Sequence, residues 1–516
     1  MGTSSGEAGV RRPGRFRLIR FAFRWSAYTL LAGAAALALL VLGFAVLTRW
    51  RLPELKAWHT LVLAQEFRAG RPETPETFED YRRLEERLFA ELHARLINNA
   101  QAADTFALGR YNPRSIPAHL ALDTPYNRSF ELVPADPKGS VLLVHGLSDS
   151  PYVMRPLAET FFNLGYYVLV LRLPGHGTLP SALLDVTWQD WYAAVALAAR
   201  HAAKQSGPGK PFLAGGFSTG AALVTLYSLR GLEDDSLPRP EHLYLLSPAI
   251  GITKFAVLTN VVAGLSFLPR FEKSRWTDVQ PEYDPYKYNS FPVNAANQIY
   301  KLTRELRRTL LGAKARGRLQ SMPQVTVFQS LIDATVQTRE VVRGLLAELP
   351  GQGNELVVFD VNRQESLEGL LAPGPLEGLE RLRRAPSLPF RLVIISNSRE
   401  SSTSVAAFTR EAGAGGETEQ ELGLEWPRGV VSLGHVALPF PIDDPIYGLL
   451  PKSVAQPAFR IGAFDARGES GALLVPLGTL ARLRSNPFFE VIRSNIETSL
   501  SPGSSRKPSV EPQPTP

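Results

Sequence analysis

The chain contains no cysteine among its 516 residues. This absence excludes disulfide bonds, thiolate metal sites, a cysteine nucleophile and lipid attachment through cysteine. Histidine is scarce as well: the eight residues are dispersed, and no pair or carboxylate cluster has the spacing of metal ligands. The glycine-rich stretches GLSDSP and GGFSTG lack the lysine of a phosphate-binding loop. We therefore expect neither a metal nor another cofactor.

The excess of positive charge is confined to one end of the chain. The formal net charge is +7, and one group of six arginines precedes the first long apolar segment: Arg11, Arg12, Arg15, Arg17, Arg20 and Arg24. Without this arm, residues 1–24, the remaining chain carries a net charge of only about +2. A nearly neutral body argues against nucleic acid as a partner.

Residues 25–48, WSAYTLLAGAAALALLVLGFAVLT, contain no charged side chain. About 24 apolar residues are enough to cross a hydrocarbon layer of about 30 Å. A cleaved signal peptide has a shorter apolar region, of about 7–15 residues. A buried soluble helix is the other alternative, but uninterrupted apolarity on every side favours lipid. We expect a single transmembrane anchor. The upstream arginines favour a cytoplasmic N-terminus, which places everything after residue 50 on the non-cytoplasmic side.

The remaining chain divides into a helical segment, a large α/β region and a tail. Residues 49–125 are predicted to form a stalk, or helices packed outside the core, with a helix starting at Thr77. Residues 126–498 alternate short apolar strands with helices, which indicates a mainly parallel sheet with helices on both faces. The predicted strands are SFELVP, SVLLVH, YYVLVLR, PFLAGGF, HLYLLSP, QVTVFQS and ELVVFD. Residues 251–321 are predicted to be an inserted cap and residues 361–428 a second insertion, while 499–516 have a disordered composition.

The stretch GGFSTG, residues 215–220, follows one of these strands and precedes the helix-forming AALVTLYSL. A serine between small residues at a sharp strand-to-helix turn projects its hydroxyl above the sheet. The five-residue pattern G-x-S-x-G also occurs by chance in ordinary turns, so the flanking strand and helix carry the prediction. Ser218 is the candidate nucleophile.

A serine nucleophile needs a general base, and the base needs an acid that orients it. In this kind of fold the chain order is serine, acid, histidine. His435, in VVSLGHVALPF, follows both the serine and an apolar run, and is therefore the candidate base. Two aspartates lie at strand ends between them: Asp333 is the preferred acid and Asp360 the alternative. Either aspartate would also suit a plain helix cap.

An acyl-transfer site also needs donors for the oxyanion that forms when the serine attacks a carbonyl. The backbone N–H of Thr219 lies at the predicted start of a helix, and that of Leu147 lies in the loop VHGLSDSP. We expect these two groups to form the oxyanion hole.

The blocks LLVHGLSDSPYVMRPLAETFFNLGYYVLVLRLPGHGTLPSALLDVTWQDW and LAGGFSTGAAL resemble the α/β-hydrolase superfamily. The similarity is to the carboxylesterase and monoacylglycerol-lipase branch, which shares its signature with the serine aminopeptidases. It is close over about residues 129–250. The resemblance implies an α/β-hydrolase fold, a triad of Ser218, Asp333 and His435, and a cap at 251–321 over the acyl pocket.

Three features depart from that branch. Ala221 and Ser330 stand where glycine is common, and the Asp333–His435 separation is about three times the usual one. The favoured hypothesis is a membrane-anchored serine hydrolase that cleaves small-molecule or lipid esters. A peptidase or thioesterase would use the same groups, and a non-catalytic scaffold that binds a ligand or partner is the alternative from another class.

Overall fold

The computed structural model describes residues 2, 25–36, 38–39, 42–43, 52–99, 104–251, 272–333, 335–350, 353–364, 371, 373–451, 459–463, 478 and 482–501. Within these ranges the strands are β1 (Phe130–Leu132), β2 (Ser140–Val144), β3 (Tyr167–Leu171), β4 (Phe212–Phe217), β5 (His242–Leu246), β6 (Trp276–Asp278), β7 (Phe291–Pro292), β8 (Gln324–Ser330), β9 (Glu355–Phe359), β10 (Arg391–Asn397), β11 (Ser404–Arg410) and β12 (Thr418–Glu425).

The helices that follow residue 52 are connected mostly through short turns. The α-helices are α1 (Ala57–Thr60), α2 (Phe78–Leu92), α3 (Ile116–Asp123), α4 (Arg155–Asn163), α5 (Trp188–Gln205), α6 (Thr219–Gly231), α7 (Val293–Ala315), α8 (Thr338–Val341), α9 (Pro373–Arg384) and α10 (Phe489–Leu500). Short 3₁₀ helices span Pro125–Asn127, Pro151–Met154, Pro180–Leu184, Glu272–Arg275, Arg318–Ser321 and His435–Ala437. Single π-helical turns span His93–Ile97 and Val342–Leu346.

One ten-stranded sheet organises the molecule, in the order β1-β3-β2-β4-β5-β8-β9-β10-β11-β12. All strands from β3 to β10 in that order pair in parallel. The outer strands β1, β11 and β12 pair antiparallel. Every strand predicted from an apolar run is part of this sheet, so the prediction of a mainly parallel sheet is confirmed.

The sheet is buried on both faces because its side chains alternate between two apolar layers. On one face Leu142 packs with residues of α5, α6 and α7, such as Trp191. On the other face Val141 and Leu143 pack with residues of α4 and α10, such as Phe161. Parallel strands covered twice in this way need apolar residues at every position, which explains the unbroken runs in the sequence.

The segment before β1 contributes to the core instead of packing outside it. Phe78 and Tyr81 of α2 lie in the same apolar cluster as α5 and α6. The predicted helix start is confirmed, because the Thr77 side chain accepts a hydrogen bond from the backbone N–H of Asp80. The expectation of a stalk therefore underestimates how closely residues 52–99 and 104–127 are joined to the sheet.

Buried charges strengthen this junction. The Arg172 guanidinium is fully buried, donating to Glu85 at 2.7 Å and pairing with Glu66 at 3.2 Å. Burial acts to lower the pKa of Arg172, but the two carboxylates raise it well above its ordinary value. Arg172 follows β3, so this ion-pair network links the N-terminal segment to the edge of the sheet that carries the loops.

The two predicted insertions lie partly outside the described residues. Of 251–321, the described part forms the hairpin of β6 with β7 and the long helix α7, whose Leu302 and Leu306 enter the core. Of 361–428, the described part contains α9 and extends the sheet through β10, β11 and β12.

The two ends of the chain are described only in part. Residues 25–36 are helical, but 37, 40, 41 and 44–48 of the predicted anchor lie outside the described residues, as does the arm apart from Gly2. In the described ranges, no helix is long and apolar enough to span a bilayer. At the other end α10 continues to Leu500, where the Ser499 hydroxyl meets Tyr244 at 2.7 Å, and residues 502–516 lie outside the described part.

Candidate active site

Ser218 stands at the turn between β4 and α6. Its backbone angles are φ 53° and ψ −111°, a combination that L-residues rarely adopt and that stores strain. Hydrogen bonds hold the turn on both sides: the Ser218 N–H donates to Leu246 at 2.9 Å, and the Ser218 carbonyl accepts from Ala249 at 3.1 Å. The strained turn is therefore locked against the next strand, as a sharply bent nucleophile position requires.

Two glycines make this turn possible. A side chain at Gly220 would place its Cβ 2.0 Å from the carbonyl oxygen of Val144, and one at Gly216 would lie 2.5 Å from the N of Ala221. Both contacts are with backbone, which cannot move aside easily. The small residues of the motif thus reflect the direct packing of α6 onto β2 and β4.

His435 and Asp333 meet although they lie 102 residues apart. The imidazole Nδ1 is 2.7 Å from Asp333 Oδ2, and both side chains are buried. The other carboxylate oxygen accepts two backbone N–H groups, from Thr335 and Val336, each at 2.8 Å. Burial alone would raise the pKa of Asp333, but the hydrogen bond and the charge of His435, together with the two N–H groups, lower it below its ordinary value. Asp333 is therefore held as an acceptor that orients the imidazole.

The loop that carries His435 is fixed to the end of β8. The Ser330 hydroxyl donates to the carbonyl of Leu433 at 2.7 Å, just before the short 3₁₀ helix that begins at His435. The imidazole packs on Phe217, the residue before Ser218, with 4.8 Å between ring centroids. In the described part of the chain the Ser218 hydroxyl donates no hydrogen bond to the imidazole. The structure nevertheless brings the acid, the histidine and the serine turn together at one edge of the sheet.

The two predicted oxyanion donors lie on the loops that flank Ser218. Thr219 is the first residue of α6, where the helix dipole leaves positive partial charge on unpaired N–H groups. Leu147 follows β2, and the next residue, Ser148, has φ 64°. The carbonyl of Ser148 accepts the N–H of Tyr288 at 2.9 Å, which ties the loop to the segment before β7. Neither the Leu147 nor the Thr219 N–H is paired within the described ranges.

The alternative acid, Asp360, has other partners. Its Oδ2 accepts the Ser396 hydroxyl at 2.7 Å and the Arg363 Nε at 2.5 Å. Its Oδ1 accepts the N–H of Val361 at 2.8 Å. The structure pairs His435 with Asp333 and leaves Asp360 in a separate cluster at the end of β9.

A match to a protein family covers much of this site. Residues 135–341 match the family model described as "Serine aminopeptidase, S33". The matched residues make up less than half of the 516-residue chain. They include Ser218 and Asp333 and end before His435, so only the geometry of the site points to the histidine.

An individual relative matches a shorter stretch of the chain. Over 55 residues the chain is 49% identical to a thermostable monoacylglycerol lipase of Bacillus sp. (strain H-257), a match that covers 11% of this chain. The chain thus spans only 22% of the length of that curated relative.

Solved structures are similar at lower identity. One is from the metagenome-derived lipolytic enzymes LipS and LipT, at 21% identity and TM-score 0.36, covering 50% of this chain and 98% of that chain. Another is a soluble variant of monoglyceride lipase from Saccharomyces cerevisiae, at 13% identity and TM-score 0.34, covering 45% of this chain and 81% of that chain.

Two further histidines, His145 and His176, have structural positions in the loops near the site. His145 Nδ1 lies 2.8 Å from the carbonyl of Gly146, and its Nε2 accepts the N–H of Leu173 at 3.0 Å. Burial lowers the pKa of His145 well below its ordinary value and that of His176 to about 3. These neutral rings brace the loops after β2 and β3 beneath the site.

The sequence did not point to a charged pocket beside Phe217. Its walls include three charged residues that are distant in the sequence: Asp149, Lys287 and Arg484. Lys287 was visible only as part of the aromatic and basic stretch PEYDPYKYNSF, and Arg484 lies beyond every predicted site residue. No local spacing links such residues, so only the fold reveals the pocket.

Proposed function

We propose that this chain is a serine hydrolase that cleaves carboxylic esters through an acyl-enzyme on Ser218. The observation that carries the proposal is the buried 2.7 Å contact between His435 and Asp333 beside the strained turn of Ser218. The match to a family of serine hydrolases supports the same chemistry. A structural histidine would not need a buried, oriented carboxylate next to a serine in a strained conformation.

The proposed role of each group follows from the geometry. With Nδ1–H donated to Asp333, the imidazole keeps its free lone pair on Nε2. His435 takes the proton of the Ser218 hydroxyl as the oxygen attacks the ester carbonyl, and then donates it to the leaving alcohol. In the second half of the reaction it activates the water that releases the acid.

The proposed oxyanion hole consists of the N–H groups of Leu147 and Thr219. Charge develops on the carbonyl oxygen only as the tetrahedral intermediate forms, so donors already in place stabilise the transition state more than the substrate. The start of α6 adds the favourable end of its dipole.

Apolar esters, acylglycerols included, are the proposed substrates because the 55-residue match is to a monoacylglycerol lipase. A peptidase is the second candidate, since the family description names a serine aminopeptidase. The discriminating comparison is turnover of 4-nitrophenyl esters against aminoacyl 4-nitroanilides.

A fluorophosphonate probe tests the nucleophile. We expect labelling of the full-length protein that is lost in Ser218→Ala. The matched control is Ser247→Ala, which should keep the labelling. Ser247 too is a buried serine with positive φ at the end of the neighbouring strand. Labelling that survives Ser218→Ala, or that is absent from the folded wild-type protein, would favour a non-catalytic scaffold.

We further propose that residues 25–48 anchor the hydrolase domain to a membrane, with the arginine arm in the cytoplasm. The support is the uncharged run of residues and the arginines before it. Because the chain lacks cysteine, single cysteines report topology cleanly. In intact spheroplasts an impermeant maleimide should label Asp235→Cys on the exposed surface and spare Ser5→Cys in the arm. The reverse labelling pattern would indicate the opposite orientation in the membrane. Labelling of both cysteines would contradict a transmembrane anchor between them.

A further inference from the structure

A narrow pocket opens between the catalytic loops of the hydrolase domain. Its free volume is about 20 Å³, and its walls include Asp149, Phe217, Lys287, Val436, Tyr447 and Arg484. Phe217 precedes the candidate nucleophile and Val436 follows the candidate base. We call it the Arg484 pocket.

Arg484 is buried with most of its hydrogen-bonding capacity unused. The residue is only 8% exposed. Its Nη2 donates to the Tyr283 hydroxyl at 3.2 Å, and its Nη1 lies 3.6 Å from Asp284 Oδ2, too far for a hydrogen bond. Its Nε has no partner in the described part of the chain. A guanidinium offers five N–H donors, and leaving them unpaired in a buried site is costly.

One oxygen of each carboxylate near this guanidinium already has another partner. Asp149 Oδ1 lies 2.5 Å from the Lys287 ammonium, and Asp284 Oδ1 accepts the Tyr447 hydroxyl at 2.5 Å. Asp284 Oδ2 has no hydrogen-bond partner in the described part of the chain and lies 3.6 Å from Arg484 Nη1, so Asp284 forms an ion pair with Arg484 without satisfying its N–H donors. These donors remain available in the wall of the pocket.

A second arginine adds to the positive charge. Arg482 makes no ion pair or hydrogen bond within the described ranges, and its side chain lies 3.7 Å from the position a Cβ would take on Gly434, beside His435. Arg482 is partly exposed; burial of the rest of its side chain lowers its pKa, and the charge of Arg484 lowers it further. Arg482 does not line the pocket and adds positive charge beside it, whereas the unpaired N–H groups of Arg484 in the pocket wall match the geometry of a carboxylate or phosphate.

We propose that the Arg484 pocket binds an anionic group of the substrate, so that the preferred esters carry a carboxylate or a phosphate a few bonds from the scissile carbonyl. This inference rests on the proposed esterase function and names its substrate class. A free volume of about 20 Å³ has no room for an acyl chain and accommodates one small charged group at most. Charge-assisted hydrogen bonds to a guanidinium contribute about 1.5–3 kcal/mol, which corresponds to about 10–100-fold in specificity.

The test compares two esters of equal length on the full-length protein: mono-4-nitrophenyl adipate, which ends in a carboxylate, and 4-nitrophenyl hexanoate, which ends in a methyl group. We expect kcat/KM to be about tenfold higher or more for the adipate half-ester, after subtraction of the rate with Ser218→Ala. Arg484→Met should reduce this ratio to near one, and Arg484→Lys should restore part of it. Arg493→Met, on an arginine outside the pocket that pairs with Glu490, should leave the ratio unchanged.

Each outcome decides between the subsite and the esterase function. Equal or better turnover of the hexanoate by the wild-type protein would overturn the subsite and leave the function intact. Equal losses on both esters in Arg484→Met would show that Arg484 only supports the fold. If that variant does not fold, Arg482→Met, at an exposed position, should still lower the ratio, and an unchanged ratio would count against the subsite.

A binding measurement separates the sources of the anion. Adipate and inorganic phosphate are titrated calorimetrically into the wild-type protein and into Arg484→Met. Binding of either anion that is lost in the variant supports the subsite and tells carboxylate from phosphate, even if neither ester is hydrolysed. Absence of binding, together with absence of ester discrimination, would overturn it.

Discussion

Two aspartates at the ends of neighbouring parallel strands, Asp333 after β8 and Asp360 after β9, have very different surroundings. Both are nearly fully buried, at 4% and 2% exposure. Asp333 accepts from His435 and two backbone N–H groups, whereas Asp360 accepts from Ser396, Arg363 and one N–H. Two aspartates in equivalent topological positions thus have different partners: Asp333 pairs with an imidazole and Asp360 with a guanidinium.

The difference arises from what each strand end faces. After β8, the Ser330 hydroxyl binds the carbonyl of Leu433 and so brings the histidine loop to Asp333. After β9, the neighbouring strand β10 presents Ser396 to Asp360. A carboxylate at the edge of a sheet is therefore defined by the loop it meets, and not by its own position in the sequence.

The largest expected contrast is in turnover. Asp333→Asn should lower kcat for 4-nitrophenyl butyrate by about 10⁴-fold, because an amide no longer selects the Nδ1–H tautomer of His435. Asp360→Asn should leave kcat within a few-fold of wild type. A comparable loss in both variants, or a loss confined to Asp360→Asn, would reassign the acid.

The next contrast is in stability. Asp360→Ala should reduce the free energy of unfolding by about 2–4 kcal/mol, because it leaves Arg363 and Ser396 without their acceptor. Urea titration followed by tryptophan fluorescence measures this loss. Asp235→Ala, whose carboxylate is exposed and pairs with Arg239 on the surface, should cost less than about 0.5 kcal/mol.

A smaller effect separates the two serines. Ser330→Ala and Ser396→Ala each remove one buried hydrogen bond of 2.7 Å and should each cost about 1 kcal/mol. Only Ser330→Ala should also lower kcat, by about threefold to tenfold, because it loosens the loop that positions His435. Equal kcat values for the two variants would show that the tie between Ser330 and Leu433 does not position the base.

The smallest effect is a dependence of stability on pH. The pKa of Asp333 lies below its ordinary value of 3.8, because hydrogen bonds and the charge of His435 outweigh burial. Its ionised form therefore stabilises the fold fully above about pH 4, and this contribution is lost as the pH falls through the folded-state value. The difference in unfolding free energy between wild type and Asp333→Asn should shrink on acidification. A difference that grows instead would contradict the lowered pKa.

The part of the fold that could be predicted is the part with unbroken apolar strands. The central strands of the large sheet, in the order β3-β2-β4-β5-β8-β9, are covered on both faces. Each of them therefore appears in the sequence as a continuous apolar run. Strand β12, TEQELGLE, is mostly exposed at the sheet edge, and its polar composition gives no comparable signal. Ser218 was predictable because its turn permits only small neighbours, a local constraint that is visible in five residues.

The choice of acid and the contacts of the N-terminal segment depend on tertiary structure. Both aspartates satisfy the strand-end pattern, and only the path of the loop before His435 distinguishes them. The long separation of Asp333 and His435 is not a physical obstacle: tripling a loop costs only about 1 kcal/mol of closure entropy. The ion pairs of Arg172 join residues about a hundred positions apart, and no periodicity in the sequence predicts them.

The buried position of Arg172 has a practical consequence for preparing this protein. A recombinant fragment that begins near residue 135, where the family similarity begins, would retain the guanidinium and discard both Glu66 and Glu85. It would also uncover the apolar surface on which Phe78 and Tyr81 rest. Such a fragment should be insoluble or misfolded, so a truncation intended for crystallisation should keep the chain from Leu52 onward.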